Sequence, residues 1–254
     1  MASILVTGGT GNLGRHVVPL LRGRGHDVRV LSRSAHAGRE FVVGDTFTGA
    51  GLDAAFAGVD TVLHLAGSNK GDEIGAGHVA DAARTAGVGH VVLISVTGAD
   101  ALPLAYFRSK DRSEHVVAAS GVPYTVLRAA QFHDFAWTVF GGLMKSPIVP
   151  APAGVRFETV DVADVAARLA ELVDGAPAGR VPDIAGPEVI EVPTMLRQLA
   201  SARGLRRSFL PVHVPGAMGR AYRDGANLAG SDALRGALTW SEYLALRAAV
   251  PAAA

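Results

Sequence analysis

Apolar runs alternate with segments of helical period along the first half of the chain. Ile4-Leu5-Val6-Thr7 is a short apolar run, residues 15–24 carry Val17, Val18, Leu20 and Leu21 at helical spacing, and Val28-Arg29-Val30-Leu31 is a second strand-like run. The rhythm then repeats. Phe41-Val42-Val43 predicts a third strand, residues 52–56 a short helix, Thr61-Val62-Leu63-His64-Leu65 a fourth strand and residues 74–86 a helix. His90-Val91-Val92-Leu93-Ile94-Ser95 predicts a fifth strand, and residues 104–120 a long helix closed by Gly121 with Pro123 beyond. Tyr124 to Arg128 is a sixth strand. Unbroken apolar strands between helices predict an α/β fold, a doubly wound parallel sheet covered on both faces, with right-handed crossovers.

Beyond Ala129 the rhythm changes. Residues 131–137 are rich in aromatic side chains, and 146–152 read as a proline-punctuated loop. A short strand is expected at 156–160, a helix from Asp161 to about Val173, a strand end and turn at 184–188, and a helix over 194–203. Phe209-Leu210-Pro211-Val212 predicts an edge strand, because proline would interrupt a central one. Thr239-Trp240-Ser241-Glu242 is a capping box opening the last helix, and the alanine-rich tail after it is expected to fray. Residues 1–150 form the expected nucleotide-binding core. Residues 151–254 form a smaller region of the same globule, docked on the sheet and roofing its cleft.

Between the first strand and first helix lies Gly8-Gly9-Thr10-Gly11-Asn12-Leu13-Gly14, matching both Gly9-x-Gly11-x-x-Gly14 and Gly8-x-x-Gly11-x-x-Gly14. Strand, glycine turn, helix and second strand together make a dinucleotide-binding unit. One glycine turns the chain with φ > 0, one admits a pyrophosphate to the backbone, and one packs the helix closely on the sheet. The helix then aims unpaired N–H groups and its positive dipole end at the anion. Gly8, Thr10, Gly11, Asn12, Leu13 and Gly14 are the expected contacts. The end of the second strand selects the cofactor: a carboxylate suits the ribose of NAD, a cation the 2′-phosphate of NADP. Here Ser32-Arg33-Ser34 stands with no carboxylate, so NADP(H) is expected, with Arg33 on the phosphate and a serine hydroxyl in support. Arg15 either assists or lies on the outer helix face. Asp45, just past the third strand, either accepts from an adenine amino group or caps the next turn. Ala66-Gly67-Ser68-Asn69 is small enough to sit against ribose and nicotinamide. His64, inside the fourth strand, reads as a buried, hydrogen-bonded histidine.

Ser95 closes the fifth strand, and Tyr106 and Lys110 lie four residues apart in the following helix, one turn from each other on one face. A lysine beside a phenol favours the phenolate, so Tyr106 is expected to exchange a proton near neutrality. Lys110 can also bond the nicotinamide ribose, and Ser95 can polarise a substrate carbonyl. Glu114, a further turn along, is expected to pair with Lys110.

Composition narrows the alternatives. The 254 residues are 49% hydrophobic and 19% charged, enough for a large core. The formal net charge of +1 argues against nucleic acid as a partner. There is no cysteine, hence no disulfide framework or zinc–thiolate site, and the nine histidines show no ligand spacing, so no metal is expected. No apolar run reaches the length of a membrane span, and the early first strand leaves no room for a signal peptide, so a cytoplasmic protein without a membrane partner is expected.

Thr7 to Gly14, Tyr106-x-x-x-Lys110 and Ser120-Gly121-Val122-Pro123-Tyr124-Thr125-Val126-Leu127-Arg128 together resemble the short-chain dehydrogenase/reductase superfamily, most closely its atypical NmrA-like and isoflavone-reductase-like NAD(P)H-binding branch. Residues 157–165, Gly186-Pro187-Glu188 and the Thr239 capping box are similar to that branch's C-terminal part. The resemblance implies a Rossmann-type fold with a small C-terminal substrate-binding region, NADP(H), catalysis by Tyr106, Lys110 and Ser95, and a monomer or homodimer. The Ser95-to-Tyr106 segment is short for the superfamily's enzymes. By the same resemblance Gln131, Phe132, His133, Phe135 and Trp137 line the substrate pocket, which suits a planar or apolar small molecule. The expected activity is NADPH-dependent reduction of a carbonyl, quinone or activated alkene. The alternatives are a non-catalytic NADP(H)-sensing regulator, as part of that branch is, and a sugar-nucleotide epimerase or dehydratase.

Overall fold

A strand flanked by helices on both sides is buried on both faces, and the fourth and fifth runs are apolar at most positions. The structure, a computed structural model, describes residues 1–38, 40–67 and 71–249. Its first half follows the predicted rhythm: β1 (Ser3–Thr7), α1 (Asn12–Gly23), β2 (Asp27–Ser32), β3 (Phe41–Val43), α2 (Leu52–Phe56), β4 (Thr61–His64), α3 (Asp72–Ala86), β5 (His90–Val96), α4 (Ala105–Ala119) and β6 (Tyr124–Ala129). The second half adds α5 (His133–Leu143), β7 (Ile148–Pro152), β8 (Arg156–Phe157), α6 (Val162–Asp174), β9 (Gly179–Arg180), β10 (Ile184–Ala185), β11 (Ile190–Glu191), α7 (Val192–Ala202), β12 (Ser208–Val212), α8 (Gly216–Arg223), β13 (Leu234–Arg235) and α9 (Trp240–Ala249).

The main sheet runs β3-β2-β1-β4-β5-β6-β10-β13, with β9 also on β6, and its pairings are parallel. Every residue of β4 and β5 is buried. Along β5 the side chains alternate between two cores: Val92 and Ile94 join α1 and α6, whereas Val91 and Leu93 join α2, α3 and α4. The chain leaves β1 toward β2 on one side and returns at β4 on the other. That reversal opens a crevice beyond the C-terminal strand ends, where α/β sheets take ligands.

A third core gathers around fully buried Trp240, Met195 and Leu196. It draws in Phe140 of α5 and Val149 of β7, which precede residue 150, while α6, β9, β10 and β13 pack on the main sheet from beyond it. The two regions therefore interleave. Two local expectations are corrected. Residues 148–152 are a strand rather than a loop, paired in parallel with β12 from Ile148↔Ser208 to Pro152↔Val212. In this two-stranded ribbon each strand has one edge without a partner strand, so its prolines are accommodated. The 156–160 strand shrinks to Arg156–Phe157, because Glu158 turns inward to Arg235 (2.6 Å). The aromatic stretch 131–137 runs into a helix, α5. The Thr239 capping box forms as expected: Glu242 N–H donates to Thr239 Oγ1 (3.2 Å) and Thr239 N–H to Glu242 Oε2 (2.9 Å). The alanine-rich tail lies outside the described residues.

His64 is buried and bonded to Thr7 Oγ1 (2.6 Å). Burial, then the nearby Lys110 cation, pushes its pKa down from 6.5 to about 4. The folded state therefore binds fewer protons than the unfolded chain between these values, and this contribution, complete above pH 6.5, is lost as pH falls toward 4. About 2 kcal/mol is expected to disappear by about pH 5. Urea melts at neutral pH and near pH 5 should show this slope in the wild type and a shallower one in His64→Gln; equal slopes would refute it.

Candidate functional site

The turn between β1 and α1 is built for close backbone approach. Gly8 has φ +70°, and a Cβ on it would lie 2.7 Å from Ala66 N. A Cβ on Gly14 would collide with Gly9 Cα, so helix and turn pack backbone to backbone. Gly11 N–H donates to Gly8 O (2.9 Å) and closes the turn. Helix α1 has no side-chain cap and no acidic residue in its first turn. Its first N–H groups and dipole are thus arranged for an anion, which is what a dinucleotide diphosphate requires. The residues present fit that group.

Thr10 and Gly11 form one end of a cleft of about 520 Å³, whose walls include Gly8, Ser32, Arg33, Asp45, Ala66 and Gly67. Arg33 is exposed on its rim. Ser32 Oγ accepts from Ser34 N–H (3.2 Å) and stands 3.0 Å from His36 Nε2. Asp45 lines the cleft, but its Oδ1 accepts from Phe47 N–H (2.8 Å), which is the turn-capping role. Asn12 points elsewhere: its amide donates to Asp134 Oδ2 (3.0 Å). Ser68 and Asn69 lie outside the described residues.

Leu65, Gly67 and Asp72 also border a second cavity of about 330 Å³, together with Leu13, Ser95, Tyr106, Lys110, Gln131 and Phe132. Lys110 Nζ is 6.0 Å from the Tyr106 ring centre, as the four-residue spacing requires. Its partner is Asp72 (2.8 Å), not Glu114. Asp72 went unrecognised in the sequence; its signal is an Asp-Glu pair at a helix start, here Asp72-Glu73. Glu114 is instead engaged by Arg128, whose Nε and Nη2 each donate at 2.8 Å, and by the Ser95 hydroxyl. The Ser95 hydroxyl thus donates to Glu114, a partner the sequence did not lead one to expect, rather than pointing unpartnered into the cavity. For Tyr106 the direction differs from that expected of a neighbouring lysine: burial pushes the phenol above its ordinary value, and the Asp72 charge pushes it the same way.

Tyr106, Gln131 and Phe135 continue into a third cavity of about 510 Å³, walled by Leu104, Phe107, Val139, Phe140, Phe157 and Tyr222. His133 and Trp137 are not brought to these cavities. His133 is buried, with Nδ1 2.8 Å from Thr159 Oγ1 and Nε2 3.1 Å from Leu238 O. The Trp137 ring stacks under the Arg203 guanidinium (3.9 Å). Both belong to the Trp240 core because α5 turns them away from the sheet. Phe157 and Tyr222 close the pocket from distant segments, and no local pattern announces them.

A family model described as NAD(P)H-binding matches residues 8–175. A solved nucleoside-diphosphate-sugar epimerase from Staphylococcus aureus superposes with a TM-score of 0.81 at 19% identity, covering 95% of this chain and 99% of the other. The NADPH complex of an NADPH-dependent quinone oxidoreductase from Escherichia coli superposes with a TM-score of 0.81 at 21% identity, covering 96% and 99%. By sequence, quinone oxidoreductase 2 of that organism is 26% identical over 213 residues, 79% of this chain and 74% of the relative. A ceramide reductase of Caulobacter vibrioides is 29% identical over 187 residues, 65% of this chain, and the match spans 59% of that relative's length.

Proposed function

Because this chain belongs to the NAD(P)H-binding family, we propose that it is an NADPH-dependent oxidoreductase that reduces a carbonyl, quinone or activated alkene of a small apolar or aromatic substrate. One observation carries this reading: the three cavities adjoin in sequence. Gly67 and Asp72 border the first two, and Tyr106, Gln131 and Phe135 the second and third. The glycine turn would hold the diphosphate, Arg33 and Ser32 the 2′-phosphate, and Lys110 the nicotinamide ribose. When bound, the reduced nicotinamide supplies a hydride. Tyr106 borders the apolar chamber with its phenol held protonated, so it is placed to give a proton to the reduced substrate. Uncharged walls of Leu104, Phe107 and Phe157 favour an apolar ring over a sugar nucleotide, which needs cations for its diphosphate.

The direct test is NADPH oxidation against a panel of quinones, enones and aromatic ketones. Turnover with at least one acceptor is expected; tight NADPH binding with none would favour a nucleotide-sensing regulator. For the cofactor, Arg33→Ala should weaken NADPH by about ten- to a hundredfold, the worth of one charge-assisted bond, and leave NADH nearly unchanged. Equal losses for both nucleotides, by calorimetry, would refute the phosphate assignment.

A further inference from the structure

Lys110 is fixed from outside its own helix. Its ammonium lies 2.8 Å from Asp72 Oδ2, with the two side chains only 10% and 4% exposed. Asp72 opens α3, and its own N–H donates to Ser109 Oγ on α4 (3.0 Å). The next residue, Glu73, pairs with Arg112 of α4 (2.8 Å), so the first turn of α3 is stitched to α4 on both sides of Lys110. A Cβ on Gly67 would lie 2.9 Å from Lys110 Nζ and 3.2 Å from Asp72 Oδ2. The ion pair therefore fills the space against that backbone, where the first two cavities meet.

We propose that Asp72 is a positioning residue: its carboxylate pins the Lys110 ammonium against the Gly67 backbone and thereby sets how strongly that cation acts on Tyr106. The inference deepens the reading of Tyr106 and Lys110 above and rests on it for its functional meaning. Among the described residues, the charged and titratable groups placed around the phenol are Lys110 on its own helix, Asp72 on α3, His64 on β4, which senses both, and Tyr222 of α8 across the apolar chamber. His64 is neutral at neutral pH, being held near 4, so the balance lies between the lysine and the carboxylate. Lys110 favours the phenolate and Asp72 opposes it. With Asp72 in place the phenol stays protonated, as a donor of protons to a reduced substrate must be.

The test is a titration of Tyr106 by phenolate absorbance in the protein without nucleotide, read in each background as the difference from the matching Tyr106→Phe protein. In Asp72→Asn the lysine acts unopposed, and the acid dissociation constant of the phenol should rise about tenfold. In Lys110→Met the carboxylate acts unopposed, and the constant should fall about tenfold. Asp72→Glu should return most of the wild-type behaviour. Opposite shifts support the proposal; an unmoved phenol in Asp72→Asn, or shifts of one sign, overturn it. If circular dichroism shows that Asp72→Asn does not fold, the Lys110→Met arm decides alone: a downward constant supports the proposal and an unchanged one overturns it. Turnover plays no part in the readout, so a wild type that oxidises no NADPH removes the proposed function without touching this result.

Discussion

Tyr106→Phe is expected to lower kcat for NADPH-dependent reduction by about a hundred- to ten-thousandfold, the usual worth of a positioned acid, and to leave NADPH affinity nearly unchanged. The asymmetry follows from the geometry. Tyr106 borders the second and third cavities but is absent from the cleft that holds the glycine turn and Arg33. On the proposed reading, removing its oxygen would take away the proton and no cofactor contact. Lys110→Ala should differ, lowering kcat and weakening NADPH together, because its ammonium sits where the first two cavities meet. The pH profile carries a sign as well. The phenol is held above its ordinary value of 10.0 by burial and by Asp72, so the rate should stay level through neutral pH and fall only as the phenol ionises in alkali. Single-turnover rates from about pH 6 to about pH 11 would check this, with a level rate up to about pH 10 and a fall only beyond it. A Tyr106→Phe protein keeping a third or more of the wild-type rate would mean that the proton comes from elsewhere.

What could be read from the chain in advance was what is local. The glycine turn, the flanking strands and the i, i+4 spacing of Tyr106 and Lys110 are consequences of consecutive residues, and each falls in the predicted element. Arg33, Asp45, Ala66 and Gly67 follow from one topological rule, that ligands lie beyond the C-terminal strand ends, and all four line the cleft. What escaped depends on which helix lies beside which. Lys110 has a carboxylate a turn away on its own helix, Glu114, and another across the α3–α4 contact, Asp72; spacing favours the first and packing delivers the second. Glu114 is drawn off by Arg128, which reads in the sequence as the polar end of a strand. The same limit explains the pocket walls. Phe157 and Tyr222 meet at a ring-centre distance of 5.9 Å although they are far apart in the chain. His133 and Trp137, adjacent in sequence to cavity-lining residues, turn with α5 toward the Trp240 core, Trp137 packing on it and the His133 ring 5.8 Å from that of Trp240.

The buried Arg128–Glu114 pair should be the costliest site to break in this protein. Arg128 is 4% exposed and Glu114 8%, and the guanidinium donates to both Glu114 oxygens and to Asp100 (2.9 Å). The contact ties α4 to β6 immediately below the second cavity, so it holds the helix that carries Tyr106 and Lys110. Glu114→Ala leaves a buried cation with half-exposed Asp100 (2.9 Å) and the more distant Asp111 (3.9 Å) against it, and an under-matched buried charge costs about 3–5 kcal/mol. For a chain of this length that corresponds to a fall of roughly 10 °C in Tm by calorimetry. Removing both charges, as in Glu114→Met with Arg128→Leu, should recover much of the loss, since the charges then left without Arg128, Asp100 and Asp111, reach solvent. Ser95→Ala provides the contrast. It deletes one hydroxyl that donates to Glu114, and should cost about 1 kcal/mol and less than tenfold in kcat. A Glu114→Ala protein that melts with the wild type would show that Asp100 and Asp111 suffice to neutralise Arg128. A Ser95→Ala protein as impaired as Tyr106→Phe would return the serine to the substrate, and with it the reading of which group faces the reacting oxygen.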